Sequence, residues 1–397
     1  MTGFAQDVWK QEPSQKGFPV SEQSVPLSNP DITQQEIDAV LDVLRGDRLS
    51  IGPRIEAFED ACAARAGCKY GIGVNSGTSG LHLCVKALGL GEGDEVITTP
   101  FSFIATTNCV LFERARPVFA DIDPVSYNLD PAAIEAAITP RTRALLPVEV
   151  FGNPAHFDIY EKIARKHKLL LIEDCCEALG ASLGGRPAGS FGECGVFAFY
   201  PNKQITTGEG GLIVTDSESV RDLCRSMRNQ GRATDAWLSH ARLGYNYRLS
   251  EINAALGEVQ VRRLDDILAK RRAAAGLYDQ ALGELADKGL LHLPPMDDRK
   301  TASWFVYVIR LADEFAEADR DAVLEHLRKE GVGCNNYFAP IHTQPYIQEM
   351  LGTKEGDFPI TERVAARTIA LPFFANLSEG QVSRVRDVLA AAIANRR

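Results

Sequence analysis

Three stretches of this 397-residue chain place reactive side chains where an apolar run stops. "FAFYPNKQITTGEGG" carries Lys203 just behind strand-like residues and continues into glycines. "LLLIEDCCEALGA" carries Asp174 behind an apolar run, and "NSGTSG", Asn75 to Gly80, follows "GIGV" and opens a helical pattern. Each has an ordinary reading beside a chemical one. A lysine at a strand end either snorkels to solvent or is a reactive amine. An aspartate there caps a helix, sits on the surface or faces a ligand. A Gly/Ser/Thr loop is a plain turn, or it holds a phosphate on the first amides of the helix. The loop has neither the Walker spacing nor a G-x-G-x-x-G pattern, which disfavours a nucleoside triphosphate or a dinucleotide.

Taken together, the three match the needs of pyridoxal 5'-phosphate. Its aldehyde needs a lysine for a Schiff base, its ring nitrogen a carboxylate to stay protonated, and its phosphate oriented N–H donors. An aromatic face is the fourth part. Phe103 in "TPFSFIATTN" can supply it, or can be a core residue.

The elements that must deliver these residues are legible. Thr33 and Glu36 form a capping box before Ile37, Val40, Leu41 and Leu44 at helical spacing. Continuous apolar strands such as "DEVITTP", "RALLPVEVFG", "LLLIED" and "ECGVFAFY" alternate with helices, which predicts an α/β domain around a mainly parallel sheet. Ligands of such sheets collect at the C-terminal strand ends, where Asn75, Asp174 and Lys203 all fall. From Ser250 one long helix is expected to bridge to a small α+β C-terminal domain, whose last helix Ser378 and Gln381 cap. The expected division is a polar arm over 1–26, a large cofactor-binding domain over 27–264 and the small domain over 265–397.

Composition narrows the class. The net charge of −10 argues against nucleic acid as a partner, because that affinity needs clustered Lys and Arg. Nine scattered cysteines without C-x-x-C spacing read as reduced thiols, so neither a disulfide framework nor a metal site is expected. No apolar run approaches the roughly 18 residues of a membrane span, and the N-terminus lacks a signal pattern, so a cytoplasmic enzyme away from the membrane is expected.

From about Pro26 onward the chain resembles the DegT/DnrJ-type pyridoxal-phosphate-dependent sugar aminotransferases, within fold-type I (aspartate aminotransferase-like). The resemblance rests on "IGPRIEAFE", "NSGTSGLHL", "TPFSFIATTN", "VFGNPAHFD", "LIEDCCEALGA", "FAFYPNKQITTGEGG", "LGYNYRLSEINAALG", "APIHTQPY" and "ALPFFANLSEGQV". It implies that Lys203 forms the internal aldimine, Asp174 pairs with the pyridinium nitrogen and Phe103 lies against the ring. It implies that Thr78 and the backbone of Gly77 and Ser79 bind phosphate. Asn246, with Arg248, would complete the site of a partner subunit in a homodimer, and His342 would lie near the substrate. Two positions depart from the family pattern. Ala198 stands where many relatives have a phosphate-binding serine, with Asn202 as a replacement. Glu177 stands where relatives carry Gln or His facing the ring oxygen. The implied reaction moves an amino group from L-glutamate, through pyridoxamine 5'-phosphate, to a nucleotide-linked 3- or 4-keto deoxysugar. A keto cyclitol acceptor and a non-catalytic cofactor-binding regulator are the alternatives; Lys203 itself argues against the dehydratase branch, which has histidine there.

Overall fold

The computed structural model describes residues 24–233, 239–295 and 299–396, so most of the expected N-terminal arm lies outside the described residues. The larger part runs α1 (Gln34–Arg45), α2 (Pro53–Ala66), β1 (Tyr70–Val74), α3 (Gly77–Ala87), β2 (Glu95–Thr98), α4 (Ala105–Phe112), β3 (Arg116–Phe119), α5 (Pro131–Ala137), β4 (Thr142–Leu146), α6 (Phe157–His167) and β5 (Leu170–Asp174). The short hairpin strands β6 (Ser182–Leu183) and β7 (Arg186–Pro187) follow, then β8 (Cys194–Ala198), β9 (Gly211–Thr215), α7 (Glu218–Arg228) and α8 (Glu251–Arg262). The remainder is α9 (Leu264–Asp287), β10 (Leu291–His292), β11 (Lys300–Thr301), β12 (Tyr307–Leu311), α10 (Glu317–Lys329), α11 (Pro345–Leu351), α12 (Pro359–Ala365), β13 (Thr368–Leu371) and α13 (Glu379–Ala394).

The central sheet has seven strands in the order β1-β9-β8-β5-β4-β2-β3. Its pairs from β8 to β3 are parallel, whereas β9 is antiparallel to both β1 and β8. The mainly parallel α/β sheet expected from the sequence is therefore present, with one reversed strand inside it. The reversal is short-range: β8 ends, the chain turns through Lys203, and β9 returns beside it. Helices cover both faces. Ile72, Val74, Val196 and Ile213 pack with α3 and α7 residues on one side, while Phe197, Leu212 and Val214 pack with Phe58, Ala254 and Leu264 on the other. Strands buried on both faces explain the continuous apolar runs.

The capping boxes at Thr33/Glu36 and Ser378/Gln381 form as expected. The apolar positions of α1 do not face inward. Glu36, Ala39 and Val43 are the buried residues, and Ile37, Leu41 and Leu44 are exposed in the single chain. The single long helix expected from Ser250 is two helices, interrupted at Arg263, whose guanidinium donates to the Asp31 carbonyl (3.2 Å) and to Glu36 Oε1 (2.5 Å). Helix α9 contributes to two cores: Leu264 and Ile267 join one beside the seven-stranded sheet, and Ala274, Tyr278 and Leu282 join the one built on β12, β13, α10 and α13. The start of the described chain also belongs with the small domain. Val25 bridges to Val332, and Leu27 packs against Phe305 and Val306, because an extended segment is buried wherever a partner strand edge accepts it.

Candidate active site

The C-terminal ends of β1, β5 and β8 open onto one cavity of about 620 Å³. Lys203 reaches it from the turn after β8, where its amide donates to the Tyr200 carbonyl (2.9 Å). The returning chain must pass the loop that opens α3. A Cβ on Gly211 would lie 2.5 Å from the Ser76 carbonyl carbon and oxygen, so only glycine fits there. The glycines behind the lysine thus serve close backbone approach at the start of α3.

Lys203 is 13% exposed at its side chain, and its Nζ lies 3.5 Å from Glu177 Oε1 and 3.9 Å from the centre of the Phe305 ring. Asp174 is buried; its Oδ2 accepts from Thr106 Oγ1 (2.7 Å) and its Oδ1 from the Cys176 amide (3.2 Å). Strand alternation sends the adjacent Glu173 the other way. There its carboxylate accepts from the Gly189 (3.0 Å), Phe191 (2.5 Å) and Gly192 (2.7 Å) amides, and burial still pushes it up to about 7. Beside it, Glu149 is fully buried with neither side-chain oxygen bonded among the described residues, and burial pushes its carboxyl well above the usual range. Burial also pushes Glu177 up, against the pull of Lys203 and of the Phe151 amide, which donates to its Oε2 (2.9 Å).

At the start of α3, Ser76 caps the helix through its Oγ, which accepts from the Ser79 amide (3.1 Å). Ser79 Oγ in turn donates to Asn75 Oδ1 (2.7 Å). Ser79 is therefore spent on the cap, whereas Ser76, Gly77 and Thr78 line the cavity. The first amides of a helix have no intrahelical acceptor, which leaves those of Gly77 and Thr78 at the cavity wall. A Cβ on Gly77 would meet Ala198 Cβ at 2.8 Å and Cys176 Sγ at 2.9 Å, so this wall is packed and apolar where a serine was the family expectation. Asn202 lines the cavity too. Its Nδ2 reaches the Tyr337 hydroxyl at 3.5 Å and its buried Oδ1 has no partner among the described residues. The oxygen is an acceptor and cannot itself hold a phosphate, so only the Nδ2 donor could do so. Phe103 is 64% exposed at the cavity rim, outside the core.

These parts fit pyridoxal phosphate. A buried amine, a half-satisfied buried carboxylate and a helix start with outward amides surround one cavity. Asn246 and Arg248 stand outside the cavity of their own chain. Asn246 is exposed, with its carbonyl accepting from Asn75 Nδ2 (3.4 Å), and Arg248 donates to Asn229 Oδ1 (2.9 Å). His342 is elsewhere: it is 0% exposed, bonded through Nε2 to Glu362 Oε1 (2.8 Å), and absent from the cavity lining, because the Phe358 ring and the 341–343 turn enclose it. Sequence reasoning missed Thr106, Phe305 and Glu149, and Arg271 behind them. Only Thr106 had a signal, inside "TPFSFIATTN"; Phe305 reads as core, and nothing local marks the other two.

The model of the DegT/DnrJ/EryC1/StrS aminotransferase family matches residues 30–390. GDP-perosamine synthase of Caulobacter vibrioides is 36% identical over 362 residues, 91% of this chain and 96% of that protein. S. venezuelae DesV, solved in complex with a ketimine intermediate, aligns with a TM-score of 0.85 at 32% identity over 93% of this chain and 98% of its own. Helicobacter pylori PseC, an aminotransferase involved in the biosynthesis of pseudoaminic acid, aligns with a TM-score of 0.88 at 29% identity over 94% of this chain and 100% of its own.

Proposed function

This chain belongs to the DegT/DnrJ/EryC1/StrS aminotransferase family, and from that premise we propose that it transfers an amino group from L-glutamate to a nucleotide-linked 3- or 4-keto deoxysugar. It is a pyridoxal-phosphate-dependent aminotransferase of the sugar-aminotransferase kind. The observation that carries the reading is the meeting of Lys203 Nζ, the Asp174 carboxylate and the α3 N-terminus around one cavity at the C-terminal edge of the sheet.

When bound, the cofactor supplies an aldehyde that exchanges amines and a ring that takes up an electron pair. Lys203 would hold it and, as a free amine, would carry a proton at Nζ. Asp174 would keep a proton on the ring nitrogen; Thr106 and the Cys176 amide each bond one of its oxygens and fix the carboxylate at the cavity wall. Gly77 and Thr78 would anchor the phosphate, and Phe103 would cover the ring.

The unit we propose is a homodimer. Among the described residues the lining of a single chain has one cation, Lys203, against Asp174, Glu177 and Glu209, so two anionic substrates and a phosphate need positive charge from elsewhere. Arg248 of a second copy would supply that charge, and its Asn246 a neutral hydrogen-bond donor. The exposed stripe of Ile37, Leu41 and Leu44, continued by Leu49 and Ile51, is the kind of surface a partner covers. No helix among the described residues is long and apolar enough to cross a membrane.

The test is spectroscopic. The protein loaded with pyridoxal phosphate should show a visible band that borohydride reduces onto Lys203 and that glutamate bleaches. The pyridoxamine form is then offered nucleotide keto sugars and keto cyclitols, and return of the band identifies the acceptor. A band that glutamate does not bleach would refute glutamate as the donor.

A further inference from the structure

Arg271, on α9, is buried at 3% exposure, and none of its described hydrogen bonds goes to a carboxylate. It donates to three backbone carbonyls: Nη2 to Lys203 O (2.8 Å) and Nη1 to Trp304 O and Phe305 O (3.2 Å each). Burial pulls its guanidinium down to about 10, which still leaves it charged near neutral pH. Burying a cation is costly without compensation, and here three carbonyl dipoles supply it. The carbonyls it gathers are not arbitrary. One belongs to the lysine that faces the cavity, and another to Phe305, whose ring lies under that lysine's Nζ. A second tie lies alongside. Gln204 Nε2 donates to Ser303 Oγ (2.6 Å), and Ser303 Oγ donates to the Glu177 carbonyl (3.2 Å). Residues 203–204 are thus stitched to residues 303–305, the segment that enters β12 of the small domain.

We propose that Arg271 is a positioning residue for Lys203, locking the lysine's peptide and the Phe305 ring beneath its amine into one unit whose place both domains set. The proposal rests on the reading of Lys203 as the amine that attaches the cofactor. An arginine is required because only a planar fork reaches carbonyls on two separate segments at once; an ammonium is a single point donor.

The test compares full-length Arg271→Lys, Arg271→Met and Phe305→Leu with wild type. In cofactor-free protein, a lysine-directed acylating reagent is applied and peptide mass spectrometry gives the rate at Lys203 relative to the exposed Lys162 and Lys329. Arg271→Lys and Phe305→Leu should each change that ratio about three-fold or more, the size expected when a cation–π contact is lost or displaced. In loaded protein, the single-turnover rate with glutamate should fall about 10- to 100-fold, with half-saturating glutamate unchanged within about two-fold. If Arg271→Met fails to fold, the other two variants carry the test. Arg271→Lys that unfolds at lower temperature but matches wild type in labelling ratio and single-turnover rate would show a merely structural role and overturn the proposal. Because labelling needs no cofactor, it decides the positioning role even if wild type shows no glutamate bleaching, the result that would refute glutamate as the donor instead.

Discussion

Replacing Glu177 by Gln removes one negative charge and little else. Glu177 Oε1 is 3.5 Å from Lys203 Nζ, and the side chains are only 7% and 13% exposed. The Gln carbonyl oxygen can still accept from the Phe151 amide, so the local fold keeps its contact. At 3.5 Å and an effective dielectric constant near 20, the lost attraction is at most about 4–5 kcal/mol. The nitrogen shifts once it is attached to the cofactor, and water enters the open cavity, which reduces the effect to about 1–3 pH units. The sign follows from the charge: an anion beside a protonated nitrogen favours the protonated form, so the variant should lose that proton at lower pH. The assay is an absorbance titration of the loaded protein, following the visible band from acid to alkaline pH in wild type and Glu177→Gln. Coincident midpoints would refute the reasoning and would mean that burial keeps Glu177 protonated throughout.

The remaining expectations test other parts of the site. Asp174→Asn should still fold but lose about 100- to 1,000-fold in the glutamate single-turnover rate, the typical cost of removing one preorganised electrostatic group. Ala198→Ser restores a hydroxyl beside Gly77 and should tighten pyridoxal phosphate binding about five-fold by equilibrium titration, the worth of one net hydrogen bond of about 1 kcal/mol. His342→Ala removes one partner of Glu362, whose carboxylate keeps the Gly356 and Phe358 amides, and opens a void, so it should lower unfolding stability by about 2–3 kcal/mol while leaving the glutamate half-saturation of the folded enzyme unchanged. Glu149 and Glu173 both have folded-state values raised above the unfolded carboxylate range. Their stabilising contribution is therefore complete below about pH 4 and lost as pH rises, at up to about 1.4 kcal/mol per unit for each. For Glu173 that window runs from the unfolded value to about 7. Glu149→Gln cannot ionise, so denaturant titrations should show its stability relative to wild type increasing from pH 5 to pH 7.

The sequence by itself determined the reactive set and its delivery. Lys203, Asp174 and the Ser76–Thr78 loop each end an apolar run, and a strand buried on both faces can release a polar side chain only at its end. The helix caps at Thr33 and Ser378 were legible for the same reason, since capping needs residues only three positions apart. Tertiary structure decided what surrounds that set. The reversal of β9, the outward face of α1, the burial of His342 and the assignment of Val25 to the small domain all depend on which distant surface arrives to cover a segment. Arg271 shows the limit most clearly. Its local sequence, "KRRAAAG", reads as one more charged turn of a surface helix, and only the packing of α9 between two domains brings its guanidinium to the carbonyls of Lys203 and Phe305. Periodicity is a property of neighbours along the chain, whereas the desolvation that makes a charge informative comes from residues far away in it.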